Sequence, residues 1–548
     1  MPQNNSPKPS VAYKNNDTQS PDQRHSDKGF YSGFNKYVAI SAKLLVGLLI
    51  LWTVISPKDA AKQLLQIQAF TISHFGAWYV YVTAFYLITC LALALIPRTG
   101  RIKLGKDDEK PEFSNFSWFS MMFGAGVGVG MLTYATGEPI FHFQSNPDVI
   151  KGATQALNEN NIGATYKWTL FHYGLTPWAT YGIVGMALAY FSYNKGMPLT
   201  IRSALTPLFG RSTDGVLGDI IDIVAILATI IGVGVTIGLG VKQFAFGAFY
   251  ISDASWILDA DGQPTLTSLY IALAIVTLAS MLSALSGVGR GIKWLSNLNM
   301  ALSVFLLLFF LFFGSALFAF KWGAIGMWEY LTQLPIMSFT VWPNDGTELG
   351  KSLFDWQGAW SIFYWAWWIA FAPFVGIFLC RVSRGRSIRE YVLGAIIVPS
   401  LMCFTWFFLA GGAALDLELS GIAKRALVDA DLSSRLFVTV QLILNSQLAV
   451  IMSAIIVVLL LTYLITSADS AILVVNTIAA SSERPKNYNK MIIIWSLILG
   501  GIVAALLKVG GLGALQAAMI VGALPFSMVM ALMTISLIKA FVFDHYKK

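Results

Sequence analysis

From residue 37 to residue 543 the chain is built of long apolar runs separated by short polar stretches. A helix needs about 20 apolar residues to cross the ~30 Å hydrocarbon core of a bilayer. Runs of that length lie near 37–57, 75–97, 115–143, 165–193, 218–252, 266–286, 299–321, 357–380, 389–413, 447–476, 489–509 and 513–543. The pattern therefore predicts an all-α polytopic membrane protein with twelve transmembrane helices. The fifth run is long enough to bend or tilt. Residues 287–299, with Arg290 and Lys293, read as a short surface helix, and 432–446 as a short apolar segment lying along the membrane. Residues 1–36 are polar and predict a disordered cytoplasmic tail. Segment 37–114 holds two accessory helices, 115–321 a first group of five, 322–356 an extracellular loop, 357–543 a second group of five, and 544–548 a short cytoplasmic end.

Charge orients this arrangement. The loop after the second run carries Arg98, Arg101, Lys103, Lys106 and Lys110; the loop after the eighth, Arg381, Arg384, Arg386 and Arg389; the loop after the tenth, Arg484, Lys486 and Lys490. Residues 253–262 carry Asp253, Asp259 and Asp261 and no Lys or Arg. Basic loops stay cytoplasmic, so both termini are expected inside the plasma (inner) membrane. Composition agrees: of 548 residues 12% are charged, with a mean hydropathy of +0.64, whereas a soluble domain carries about 25%. The net charge of +8 sits in loops and calls for no nucleic-acid partner. Cys90, Cys380 and Cys403 stand at no metal-ligand spacing and read as inert thiols.

Catalytic signatures are missing. There is no HExxH and no nucleophile elbow. Gly350-Lys351-Ser352 ends like a phosphate loop, but Asp345 stands where its first glycine belongs. A membrane enzyme or an ATP-driven pump is a poor reading, and no cofactor is expected.

In lipid, irregular backbone survives only where it lines a cavity. Gly124, Gly126, Gly128 and Gly130 weaken the third run, either for close packing through a Gly126/Gly130 pair or to unwind and offer carbonyls. Pro373 and Gly376 weaken the eighth. Interrupted helices at matching positions, five apart, point to a transporter site between two halves. Glu138 and Asp469 are intramembrane carboxylates and functional candidates, against an interfacial position for the first and a structural hydrogen-bond role for the second. Hydroxyls of Thr466, Ser467 and Ser470 suit Na⁺, unless they bond back to helix carbonyls. Trp178, Tyr181 and Trp368 lie inside their runs beside Pro177 and Pro373, too deep for an interfacial belt. Ring faces recognise a quaternary ammonium, which has no N–H to donate.

These segments resemble the betaine/choline/carnitine transporter family along all twelve runs. The resemblance rests on Ser117–Phe123 with the glycines that follow, Thr136-Gly137-Glu138-Pro139, Phe171–Trp178, Ser286–Ile292, Leu295-Ser296-Asn297, Phe363–Trp368, Arg381–Glu390 and Ile465–Ser470. It implies the five-plus-five inverted-repeat fold of sodium symporters with two extra N-terminal helices, and a homotrimer. It implies an aromatic box of Tyr173, Trp178, Tyr181 and Trp368, with Trp367 and Phe371 along the path. One Na⁺ site maps onto the carbonyls of Gly124, Val127 and Tyr463 and the hydroxyls of Thr466 and Ser467. A second would use Thr229, with Phe374 beside it, but its partner hydroxyl is replaced by Val233, with Thr236 nearby. Met300 stands where sodium-independent exchangers resembling this family carry arginine. Tyr173 and Phe371 replace tryptophans common in the family, and the chain lacks the long basic C-terminal helix of its osmosensing members. The expected function is Na⁺-coupled uptake of a zwitterionic methylated-onium osmolyte, glycine betaine or a dimethylsulfoniopropionate-like solute. The alternative is a choline or carnitine carrier working by uniport, proton coupling or exchange.

Overall fold

The computed structural model describes residues 26, 28–126, 128–287, 293–480 and 485–545. Among them the chain is helical throughout, without a strand beyond isolated bridges, and nine helices are long and apolar enough to cross a membrane. The expected tail lies mostly outside the described residues, as do Val127 and residues 288–292 of the expected surface helix at 287–299; its remainder from Lys293 is not a separate surface helix but the first turns of a long helix that continues to Phe313.

Local chemistry sets the boundaries. Helix α1 (Lys36–Ile55) is capped by Asn35, whose side chain accepts from the Tyr37 and Val38 amides. Pro57 starts α2 (Pro57–Leu95) at the position where its missing N–H costs nothing. The third run divides into α3 (Asn115–Gly126) and α4 (Val129–Gln144), with Gly128 extended at φ −161°, ψ −166°. The fourth divides too, into α5 (Ile162–Tyr173) and α6 (Leu175–Ala189). At the break, the freed Leu175 amide donates to the Tyr330 hydroxyl at 2.9 Å. A Cβ on Gly174 would lie 2.5 Å from that oxygen, so the junction admits only glycine. Helices α7 (Val216–Ser252) and α8 (Leu266–Ser286) follow, the latter opened by a Thr265 cap and closed by Gly287 at φ +83°.

Three expectations are corrected. The run at 299–321 is two helices, α9 (Lys293–Phe313) and α10 (Ala316–Met337), parted at Gly314. The segment 322–356 is therefore helical for much of its length, since α10 and α11 (Glu348–Gln357) occupy it. Pro373 does not break α12 (Phe363–Val382), which runs on through it; the irregular turn lies earlier, a π-helical stretch at Gly358–Ile362. A proline inside a membrane helix is tolerated where neighbours satisfy the freed carbonyl.

Helix α13 (Ile388–Leu419) contains two further π turns. Helix α14 (Arg435–Ile443) falls in the segment expected along the membrane surface, yet Arg435 is buried and donates to the Gly137 carbonyl of α4 at 2.7 Å. Helices α15 (Ser446–Ala479) and α16 (Tyr488–His545) complete the chain, the last kinked at Gly510 and Gly511, the second of these at φ +60°.

Helix α7 packs against α12, α15 and α16, and α12 against α6. The α6–α12 seam is narrow because Gly185 faces Gly376: a Cβ on Gly376 would come 2.5 Å from Val184 Cγ1. At the basic-loop end, the Asn35 amide N–H donates to the Ala479 carbonyl at 2.9 Å, and its side chain to Asp219 at 2.7 Å. Arg202 pairs with both Asp219 and Asp222.

Candidate functional site

A cavity of about 640 Å³ opens among α4, α7, α9, α12 and α15. Its inner wall is Gly128–Met131, Tyr173, Tyr181, Trp367 and Trp368; its other end reaches Ser120, Ser296, Arg381 and Thr477. Arg381 is the one charged side chain among the described residues lining it. Since Arg381 opens a basic loop, the cavity opens toward the basic end of the molecule.

The helix breaks build the inner wall. Ending α5 at Tyr173 and restarting at Leu175 turns Tyr173, Trp178 and Tyr181 toward α12. There Trp368 meets all three: ring centroids lie 5.7 Å from Tyr173, 5.6 Å from Trp178 and 4.9 Å from Tyr181, mostly edge to face. The indole N–H of Trp368 donates to the His172 carbonyl at 3.1 Å, which fixes the ring. Trp178 is fully buried behind the others, while Tyr173, Tyr181 and Trp368 keep a small exposed edge on the cavity. Trp367 is held by a 3.2 Å bond to the Thr236 hydroxyl, and a Cβ on Gly130 would come 2.9 Å from its ring. Phe371 and Phe374 also line the cavity. The six residues expected to bind substrate are thus brought to one wall or packed directly behind it.

The expected cation ligands are more dispersed. Tyr463, Thr466 and Ser467 line the cavity on α15. The Thr466 hydroxyl donates to the Thr462 and Tyr463 carbonyls at 3.0 and 3.2 Å and accepts from the Asn299 amide at 3.1 Å. Gly124 lies in the last turn of α3, and Val127 falls outside the described residues. Thr229 and Phe374 are not brought together: Phe374 faces the cavity, whereas Thr229 donates to the Ala225 carbonyl and borders a separate small void with Val233 and Trp495.

Glu138 is not interfacial. It has no exposure and forms a hub at the closed end of the cavity. Its Oε1 lies 2.7 Å from His172 Nδ1 and 3.1 Å from His142 Nε2, and Tyr364 donates to its Oε2. Tyr364 in turn stacks on His172 and stands edge-on to Tyr173. Trp356 and Trp360 cover the histidines. Asp469 is also buried and accepts from Ser283 and Ser470, the geometry of a structural partner joining α15 to α8. Of this hub, the sequence singled out only Glu138; Tyr364 and His172 lay within the quoted motifs without an assigned role.

A family model described as betaine/carnitine/choline family transporter matches residues 37–545. The glycine betaine transporter OpuD of Bacillus subtilis is 39% identical over 86% of this chain and 88% of its own length. A betaine/ectoine transporter of Corynebacterium glutamicum is 36% identical over 88% of this chain and 73% of its own. An osmo-dependent choline transporter of Acinetobacter baylyi is 34% identical over 94% of this chain and 72% of its own.

Proposed function

The chain belongs to the betaine/carnitine/choline transporter family, a multi-pass carrier and not an enzyme, and on that premise we propose that it takes up a zwitterionic methylated-onium osmolyte by Na⁺ symport. The solute is glycine betaine or a dimethylsulfoniopropionate-like sulfonium. The observation that carries this reading is the cavity wall of Tyr173, Tyr181 and Trp368, rings without a carboxylate, which suits a methylated cation offering no N–H. Arg381 at the far end and the hydroxyls of α15 leave room for the solute carboxylate and for Na⁺.

The coupling ion would sit among the carbonyls of Gly124, Val127 and Tyr463 and the hydroxyls of Thr466 and Ser467. A second ion is less well supported, given the separation of Thr229 from Phe374. One Na⁺ carried with a neutral solute gains about 2.3 kcal/mol per 100 mV, or roughly 40–50-fold accumulation. The proposed architecture is twelve spans. The broken pairs α3–α4 and α5–α6 count as one each, α16 as two across its kink, and α10, which is not among the helices apolar enough to cross, as none. The last ten spans form two inverted groups of five, in a homotrimer of the inner membrane with both termini cytoplasmic.

A choline or carnitine carrier, working by uniport, proton coupling or exchange, is the second reading, favoured by one observation: an aromatic box also fits choline, whose full positive charge membrane voltage draws in without an ion. Uptake of labelled betaine, choline, carnitine and dimethylsulfoniopropionate into proteoliposomes, with and without an inward Na⁺ gradient, separates the two. Na⁺-dependent uptake of a zwitterion is expected. Uptake of choline alone, or uptake indifferent to Na⁺, transfers the assignment to the second reading.

A further inference from the structure

We propose that Glu138, His142 and His172 form a proton-binding site behind the aromatic box, connected to the cavity through Tyr364 and Tyr173, and that the proton held there opposes the onium charge. This rests on the onium reading above.

The geometry restricts where hydrogens lie. With Glu138 ionised its oxygens only accept, and His172 Nδ1 and His142 Nε2, both within 3.1 Å of Glu138 Oε1, then each carry a hydrogen. Tyr364 donates to the other oxygen. With both rings neutral, the cluster holds one net negative charge, wholly buried. An uncompensated buried carboxylate is costly. One more proton, on His172 Nε2 facing the Ser361 hydroxyl at 3.0 Å, neutralises the cluster while keeping every polar contact.

Neighbouring groups do not supply that compensation. Arg435 directs its guanidinium at the carbonyls of Gly137, Val428 and Ala430, and faces Asp431 and Glu418. Lys242 pairs with Asp431, and Lys167 with Asp148. Tyr134 on the same helix, Tyr173 and Tyr364 opposite, and Cys403 behind Tyr173 are neutral groups.

The route from the cavity is short. Tyr173 lines the cavity; its hydroxyl lies 3.4 Å from that of Tyr364, which reaches Glu138. None of the three cluster residues lines the cavity itself. A proton can pass along the hydroxyls; a hydrated divalent ion cannot. An onium seated against Tyr173 puts its positive charge on the near side of the same ring. Solute and proton therefore disfavour each other by roughly tenfold, the size of a unit-charge interaction across a protein interior of high effective dielectric. By reciprocity, solute binding expels the proton.

The test uses purified full-length protein at fixed Na⁺. Binding of glycine betaine, and separately of choline, is followed by tryptophan fluorescence from pH 5.5 to 8.5. Proton release is read with a dye in weakly buffered solution. Binding is expected to tighten about tenfold toward high pH, with proton release on solute addition, and Glu138→Gln is expected to lose both. If that variant does not fold, His142→Gln must displace the profile. A flat profile without release in the unsubstituted protein, or release that persists in Glu138→Gln, overturns the proposal. So does a ZnCl₂-induced rise in thermal midpoint that Glu138→Gln abolishes, which would make the cluster a metal site. Absence of solute binding at every pH sinks the onium reading alone. A difference titration of the unsubstituted protein against Glu138→Gln then decides the proton site, one extra proton being expected across the same range.

Discussion

Trp368 is the residue on which the substrate wall turns, since it touches Tyr173, Trp178 and Tyr181 and is itself anchored to the His172 carbonyl. Each desolvated ring face is worth about 0.5–2 kcal/mol to a bound onium. Replacing it with alanine also unsettles the other three rings. Trp368→Ala is expected to weaken solute binding by tenfold or more, with Trp368→Phe intermediate; unchanged affinity in a fluorescence titration would remove the ring from the site. Thr466→Ala and Ser467→Ala act on a different axis, raising the Na⁺ concentration needed for half-maximal uptake while leaving solute affinity at saturating Na⁺ close to that of the unsubstituted protein. At this scale the sequence was legible in position: the rings of Tyr181 and Trp368 and the hydroxyls of Thr466 and Ser467, singled out by type, line one cavity. It was not legible where meaning depends on partners. Glu138 meets His172 across 34 positions and Tyr364 across 226. No local pattern relates them, so the sequence left an interfacial position open for a residue that is a buried hub.

Whole helices announce themselves by apolar length, which is why α1, α7, α8 and α15 lie close to their expected limits. Breaks are another matter. Glycine and proline both weaken a helix, but whether the chain parts depends on what waits to receive the freed groups. Gly174 parts α5 from α6 because the Tyr330 hydroxyl, from α10, takes the Leu175 amide. Pro373 leaves α12 whole. A single glycine in a fourth run thus mattered more than the proline of the eighth, and only the tertiary neighbour told them apart. Gly174→Ala is expected to be poorly tolerated, because its Cβ would overlap the Tyr330 hydroxyl and the Leu170 carbonyl. Gly376→Ala pushes α12 off α6 at Val184 and should cost about 1–3 kcal/mol. The check is the thermal midpoint of detergent-purified protein, expected to fall for both; a midpoint unchanged by Gly376→Ala would mean that the seam yields.

For the molecule as a whole, the cavity has one open end and one sealed end. The open end runs to Arg381 and Thr477; the sealed end is the aromatic and histidine cluster around Trp356 and Trp360. On the proposed orientation, with the basic loops cytoplasmic, this is an inward-facing conformation, and alternating access would require the sealed cluster to part in the other state. A cysteine placed at Thr477 should react with a membrane-impermeant maleimide offered from the cytoplasmic side. One at Ser361, which is buried beneath the cluster, should resist until conditions favour the outward state. Reaction of Thr477→Cys from the outer side alone would invert the assigned orientation. Such an experiment is simplified by the burial of Cys90, Cys380 and Cys403. The molecule is close to spectroscopically silent toward sulfur reagents in water. Paired labels on α12 and α15 can therefore serve as a distance ruler for the transport cycle without first stripping the chain of its native thiols.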